Sequence, residues 1–184
     1  MGIKNSFELL ILNKIKYHLK NYSDYILYRK LKETVYFKEL QILYLDHYNI
    51  DKWGELKFAY DTDSCFDLRA AIKSDYLIYP DHPLLIETGV KFRIPSGYEC
   101  VIRPRSGLGK NGLSINYGTI DESYRGELKI IMYNLTFDRF TIRPGDRIAQ
   151  CKMQKKSIYR LKRVYQFEDE TERGEGGFGS SGIK

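Results

Sequence analysis

From about Leu40 onward the chain runs in short segments whose apolar residues fall on every second position. No other feature of its 184 residues restricts the fold as strongly. VKFRI is the clearest case. Val90, Phe92 and Ile94 fall on one side of an extended chain, and Lys91 and Arg93 fall on the other. YECVI, ELKIIMYNL, RFTI and RIAQCKM are further strand candidates, punctuated by turn signals at IPSG and RPGD. Short strands that follow one another without interleaved helices predict a mainly β fold, a sandwich or barrel rather than a parallel α/β sheet. Hydrophobic residues make up 42% of the chain and aromatics 14%, enough to fill the core of one such domain.

Residues 5–37 have a different texture. Asn5 is placed to cap a helix with Glu8 answering it, and Ile11, Ile15, Leu19, Tyr22 and Ile26 follow at helical spacing. NYSD at 21–24 divides the segment, with Ser23 capping a second helix. Through residue 37 there are seven basic and three acidic side chains, so four of the chain's six net positive charges sit here. Such a segment suits an acidic protein partner or a membrane surface. Packing against its own domain, with the basic face in water, is the simpler expectation. No N-terminal apolar run exceeds Leu9 to Leu12, so neither a membrane span nor a secretory leader is expected. Cys65, Cys100 and Cys151 are scattered and odd in number, as are His18, His47 and His82. Reduced, mostly buried thiols in a cytoplasmic protein are expected rather than a zinc site or a disulfide framework.

The other unusual stretch is RGEGGFGSSG, Arg173 to Gly182, with five glycines in ten residues. GEGGFG satisfies the G-x-G-x-x-G pattern, but that fingerprint needs a strand before it and a helix after it. Only five residues, Ser180 to Lys184, follow it, too few for that helix, so a Rossmann site is not expected. A phosphate-binding P-loop is not expected either, because no Lys-Ser or Lys-Thr follows the glycines. The local chemistry is still specific. Glycine amides can converge on an anion, Arg173 offers a fork for phosphate, Ser180 and Ser181 add hydroxyls, and Phe178 offers a face for a base.

PRSGLG at 104–109 repeats this recipe of arginine, serine and glycine amides. FDLRAA at 66–71 precedes it, and GTIDESYRGE at 118–127 and GDRIAQ at 145–150 follow it. These five segments, in this order, resemble the homotrimeric dUTPase family across about Lys38 to Gly182. The resemblance implies a jelly-roll-like β fold, with a β domain (38–167) closed by a glycine-rich lid (168–184); the N-terminal helical extension (1–37) has no counterpart in the family. It also implies a homotrimer whose sites draw on more than one subunit. The implied activity is hydrolysis of dUTP to dUMP and pyrophosphate, which limits uracil incorporation into DNA and supplies dUMP for thymidylate synthesis.

The roles follow residue by residue. Asp121 matches the carboxylate that activates the attacking water, and Tyr124 matches the ring against the deoxyribose. Asn116, Gly118, Thr119 and Ile120 fall where a β-hairpin reads uracil, in a stretch that looks a few residues shorter than in bacterial members. Arg105, Ser106 and Gly107 match the phosphate-binding turn, and Gln150 the amide that contacts phosphate. Asp67 matches a supporting acid. Mg²⁺ is implied as cofactor, held by the triphosphate and waters, with Asp67 and Gln150 reaching it through water. Arg173, Phe178, Gly179, Ser180 and Ser181 match the tail that closes over the nucleotide. Cys65 stands where the family has glycine, which asks for a local backbone adjustment.

Two other readings of the same motifs are a dCTP deaminase of the same superfamily and a nucleotide-sensing regulator acting through residues 1–37. IDESYRG favours water activation at phosphorus over deamination. The basic run KMQKKSIYRLKR is read as a solvated strand face, with no nucleic acid partner expected.

Overall fold

A computed structural model describes residues 39–60, 62–169 and 171–177. The expected N-terminal helices, Phe178, Gly179, Ser180 and Ser181 lie outside the described residues. The strands are β1 (Gln41–Tyr44), β2 (Phe66–Arg69), β3 (Tyr76–Ile78), β4 (Leu84–Arg93), β5 (Tyr98–Arg103), β6 (Leu113–Ile115), β7 (Gly118–Ile120), β8 (Glu127–Asn134), β9 (Phe140–Ile142) and β10 (Arg147–Lys155). Two one-turn helices interrupt them, α1 (Ile50–Trp53) and α2 (Ser106–Lys110). One sheet has the order β1-β4-β8-β6 and the other β2-β10-β5-β7, with β3 and β9 forming a separate ribbon. The described strand pairs are antiparallel.

Alternation produces this arrangement, as expected for half-buried strands. Ile86, Val90 and Phe92 of β4 and Leu128, Ile130 and Met132 of β8 point into the core from one sheet. Phe66 and Leu68 of β2, Cys100 and Ile102 of β5, and Cys151 of β10 meet them from the other. The Phe66 and Phe92 rings lie 6.0 Å apart, edge to face, and join the two layers. Phe92→Ala is therefore expected to cost about 3–5 kcal/mol in urea unfolding, the range for emptying a buried phenylalanine site. An unchanged midpoint would place Phe92 outside the core.

Two features depart from the sequence pattern. PRSGLG contains a one-turn helix rather than only a glycine turn. Leu108 packs against the core, and contact of that kind outweighs the poor helix propensity of Gly107 and Gly109 over a single turn. The hairpin expected before Asp121 does not form as a paired unit. β6 pairs with β8 and β7 with β5, so the chain crosses from one sheet to the other through Asn116 and Tyr117.

The RPGD turn sets the register of the last strand. Gly145 has φ +87°, and a Cβ there would collide with the Trp53 indole. Gly145 N–H donates to the Ala70 carbonyl, Ala70 N–H donates to the Asp146 carbonyl, and the Arg69 guanidinium donates to the Gly145 carbonyl, each at 2.8 Å. The turn is thus tied to the end of β2, and β10 enters with Gln150 opposite Asp67. That places two of the expected site residues side by side.

Candidate active site

Asp67 and Gln150 are neighbours across β2 and β10, and Gln150 also faces Arg103 of β5. Next to them, Arg105 grips Asp67 with two nitrogens, Nε at 2.7 Å and Nη2 at 3.3 Å. Arg105 Nη1 donates to the Arg147 carbonyl at 3.0 Å, and Arg147 Nη1 reaches Asp67 at 3.2 Å. Gln150 Nε2 donates to the Pro104 carbonyl at 2.7 Å and so fastens the PRSGLG turn to the sheet. Asp67, Gln150, Cys65, Asp63, Ser64 and Ala59 line a cleft of about 270 Å³. Two guanidiniums around one carboxylate leave the cluster one positive charge in excess, which suits an anion. At the start of α2, the N–H groups of Leu108 and Gly109 turn back to the Arg105 carbonyl. Ser106 and Gly107 precede those bonds, in the first turn, where backbone donors lack helical partners.

Cys65 causes no strain. Asp81 is the one non-glycine residue with positive φ among the described residues, so cysteine is accommodated where a glycine was anticipated. Cys100 and Cys151 are buried and all three thiols are free. The hydrogen bond with the Cys100 thiol, followed by burial, pushes the Cys151 thiol well above its ordinary range, so it stays protonated.

The acid and the aromatic lie elsewhere. Asp121 follows β7 directly and is exposed, and the Tyr124 N–H closes a turn onto the Asp121 carbonyl at 3.0 Å. The Tyr124 ring lies over Gly126, where any Cβ would strike it, and its hydroxyl donates to the Glu127 carbonyl at 3.0 Å. Glu122 anchors the same turn, accepting from Gly97 N–H at 2.7 Å and from Lys156 at 2.9 Å. The Lys156 hydrogen bond, followed by the Gly97 N–H, holds its carboxyl below the usual range. β7, with Gly118, Thr119 and Ile120, is the edge of its sheet, so one side of its backbone carries donors and acceptors outside any ladder. Asn116 is exposed beside it, its N–H held by the Ile131 carbonyl at 2.9 Å.

Strand register sets the scale of the gap between the two groups. Asp67 aligns with Gln150 and Arg103, whereas Ile120 aligns with Cys100. Asp121 is therefore about 13 Å along the strands from the cation cluster, and about 14 Å across three strand spacings from Asp67. Within one chain the structure brings Asp67, Arg105, Ser106, Gly107 and Gln150 together. It brings Asp121, Tyr124 and the β7 backbone together as a second group. In the tail, Arg173 Nε donates to the Gly176 carbonyl at 2.8 Å, and Gly174, at φ +51°, turns back to Thr171. The tail stands apart from both groups in the sequence.

Sequence reasoning did not assign Arg147 or Glu122. The arginine in GDRIAQ was visible, but its contact with Asp67 depends on the β2–β10 register, which no local pattern encodes. Among the described residues no three His, Cys, Asp or Glu side chains are grouped to hold a metal. Asp67 and Gln150 in one cleft fit a hard cation that takes its inner ligands from substrate phosphates and waters.

Fold and site together define a class: an antiparallel β-sandwich protein whose described residues carry a cation cluster suited to a phosphorylated ligand and no Rossmann or P-loop turn. Comparison with known proteins narrows it. The dUTPase family model matches residues 51–182. A deoxyuridine 5'-triphosphate nucleotidohydrolase of Finegoldia magna is 46% identical over 129 residues, spanning 68% of this chain and 90% of that protein. One from Orientia tsutsugamushi is 47% identical over 131 residues, spanning 68% and 88%. Among solved structures, the dUTPase of Staphylococcus bacteriophage 80alpha with dUPNHPP superposes with a TM-score of 0.67 at 28% identity, covering 80% of this chain and all of that one. The phage phi11 dUTPase of S. aureus, described with a structural Mg(II) ion, shares the fold at TM-score 0.61 and 24% identity. The chain belongs to the dUTPase family.

Proposed function

We propose that the chain is a dUTP diphosphatase whose sites assemble between subunits of a homotrimer. The observation that carries this is the separation implied by the strand register. A water activated by Asp121 must attack phosphorus within a few ångströms, yet the cations suited to the phosphates lie about 20 Å away in the same chain. A nucleotide cannot span that gap in extended form and still be held at each end, so a second copy brings one group to the other. The surface supports the same reading. Leu85 and Ile131 face each other on the outer side of one sheet, and Ile158, Tyr159, Leu161, Tyr165 and Phe167 stand exposed along an irregular arm. So much exposed apolar surface calls for cover in an assembly.

In the assembled site the unpaired β7 edge, with Asn116, Gly118, Thr119 and Ile120, offers peptide groups that match the imide edge of uracil. Tyr124 packs against C2′ of the sugar and leaves no room for a hydroxyl. Arg105, Arg147, Ser106 and Gly107 hold the phosphates, and Asp67 and Gln150 hold those groups in place. Asp121 orients the water and takes its proton as it attacks the α-phosphorus in line, giving dUMP and pyrophosphate. Mg²⁺, bound through the triphosphate with Asp67 and Gln150 nearby, supplies charge neutralisation on the phosphates. Arg173, Phe178, Gly179, Ser180 and Ser181 close the site as a lid.

Subunit mixing tests the shared site. Asp121→Asn and Arg105→Ala enzymes, each inactive alone, should recover pyrophosphate release from dUTP after denaturation and refolding together. Failure to recover any activity from a refolded mixed trimer would confine each site to one chain. Tyr124→Ala should weaken dUTP use and narrow the gap between dUTP and UTP, read as the ratio of their kcat/KM values. A ratio that stays at the wild-type value would remove Tyr124 from the sugar pocket.

Residues 1–37 are proposed to be dispensable for the chemistry, since the matched motifs begin at Phe66. A chain starting near Lys38 should assemble and hydrolyse dUTP as the full chain does. Loss of the trimer in light scattering would assign the segment to the subunit contact instead.

A further inference from the structure

Glu127 begins β8 three residues after Tyr124 and is fastened at both its side chain and its backbone. Its Oε1 accepts from the Gly89 N–H at 2.9 Å and lies 2.8 Å from His47 Nε2. Its backbone carbonyl accepts the Tyr124 hydroxyl at 3.0 Å. The carboxylate is largely buried, its side chain 14% exposed, although it borders an open cavity of about 810 Å³. A buried carboxylate is expensive unless hydrogen-bonded, so these partners are a requirement of the site.

The partners come from two other elements. On β4, Glu87 faces Lys129 and Lys91 faces Glu127, so four residue steps meet two on β8 and the strand bulges. Gly89 sits in the bulge with φ +66°, and a Cβ there would lie 2.8 Å from Ala71 Cβ and 2.9 Å from Tyr48 Cβ. The Gly89 N–H, released from the ladder, goes to the Glu127 carboxylate. The Gly89 carbonyl accepts from Leu45 N–H at 2.8 Å, which ties the bulge to the loop that presents His47. The start of β8 is thereby held from two sides, and the Tyr124 ring rests between Gly126 below it and the Glu127 carbonyl at its hydroxyl.

We infer that Glu127, braced by His47, is a positioning residue for Tyr124, setting the height of the ring and hence the discrimination against a 2′-hydroxyl. The inference rests on the sugar-pocket reading of Tyr124.

Two measurements on the full chain with Mg²⁺ test it: the ratio of kcat/KM for dUTP to that for UTP, and the unfolding temperature. Glu127→Ala should lower the ratio roughly five- to tenfold, the scale of one lost hydrogen-bonded anchor. Glu127→Gln keeps an oxygen for the Gly89 N–H and should hold the ratio within about twofold. His47→Ala should lower it in the same direction as Glu127→Ala. In a Tyr124→Ala background, Glu127→Ala should leave the ratio unmoved while lowering the unfolding temperature as much as it does in the wild type. Equal shifts in the ratio in both backgrounds, or a fall in stability with no shift, would make Glu127 merely structural and overturn the inference. Where Glu127→Ala fails to fold, Tyr124→Phe takes its place: the ring remains, its tether to the Glu127 carbonyl is gone, and an unchanged ratio overturns the proposal. If Tyr124→Ala itself leaves the ratio at the wild-type value, the sugar-pocket reading fails and takes this inference with it. If Tyr124→Ala collapses the ratio while Glu127→Ala does not, the inference alone fails.

Discussion

Asp121→Asn is expected to keep dUTP affinity and lower kcat by at least ~10²-fold, the scale for losing a general base. The side chain is exposed at the end of an edge strand, and its backbone is held by the Tyr124 turn rather than by its carboxylate. Asparagine should therefore preserve the turn and the binding surface. What it removes is the capacity to take a proton from the attacking water. Because the loss falls on the chemical step, kcat should drop while KM changes little. Product analysis by chromatography with single-turnover kinetics checks this. Turnover near the wild-type rate would oblige another group to serve as base.

Deleting Arg173 to Lys184 should leave the assembly intact and cut kcat/KM for dUTP by at least ~10²-fold. The described part of this segment makes local turns, Arg173 with Gly176 and Gly174 with Thr171, so the β-sandwich is expected to survive the deletion. Closing it over a nucleotide costs about 1–2 kcal/mol for each residue whose backbone is fixed. Contacts with the triphosphate from Arg173, the glycine amides and the serine hydroxyls offset that cost, together with stacking by Phe178. The return is exclusion of water and in-line placement of the α-phosphorus. Phe178→Ala should show a smaller loss of the same kind. Cleavage after Arg173 by trypsin should be fast alone and slow with Mg²⁺ and a non-hydrolysable dUTP analogue. A truncated enzyme with full activity would reduce the segment to an idle terminus.

Much of this was legible beforehand because it is local. Alternation in VKFRI put Val90 and Phe92 of β4 inward, since a strand's two faces depend only on position parity, and ELKIIMYNL was legible as the strand β8. The segments around Asp67, Arg105, Asp121, Tyr124 and Gln150 were legible through their ordered resemblance to the dUTPase family. Other features had no such signal. The strands β1, β2 and β3 are short, and three or four residues carry too little periodicity to declare themselves. The PRSGLG helix forms against the propensity of its glycines, with Leu108 packed against the edge of the core.

By itself the sequence determined which chemistry the chain carries: a mainly β domain, an acid and an aromatic in one turn, and cations with glycine amides in others. Only the tertiary structure decided how those groups are distributed. The β2–β10 register set Arg105 and Arg147 around Asp67, and the β5–β7 register put Asp121 at the far end of the same sheet. The bulge at Gly89 likewise gave Glu127 two partners, one 38 and one 80 residues away. Register arises from pairing among distant segments that bury a common core, so it belongs to the folded whole and cannot be read from any one stretch.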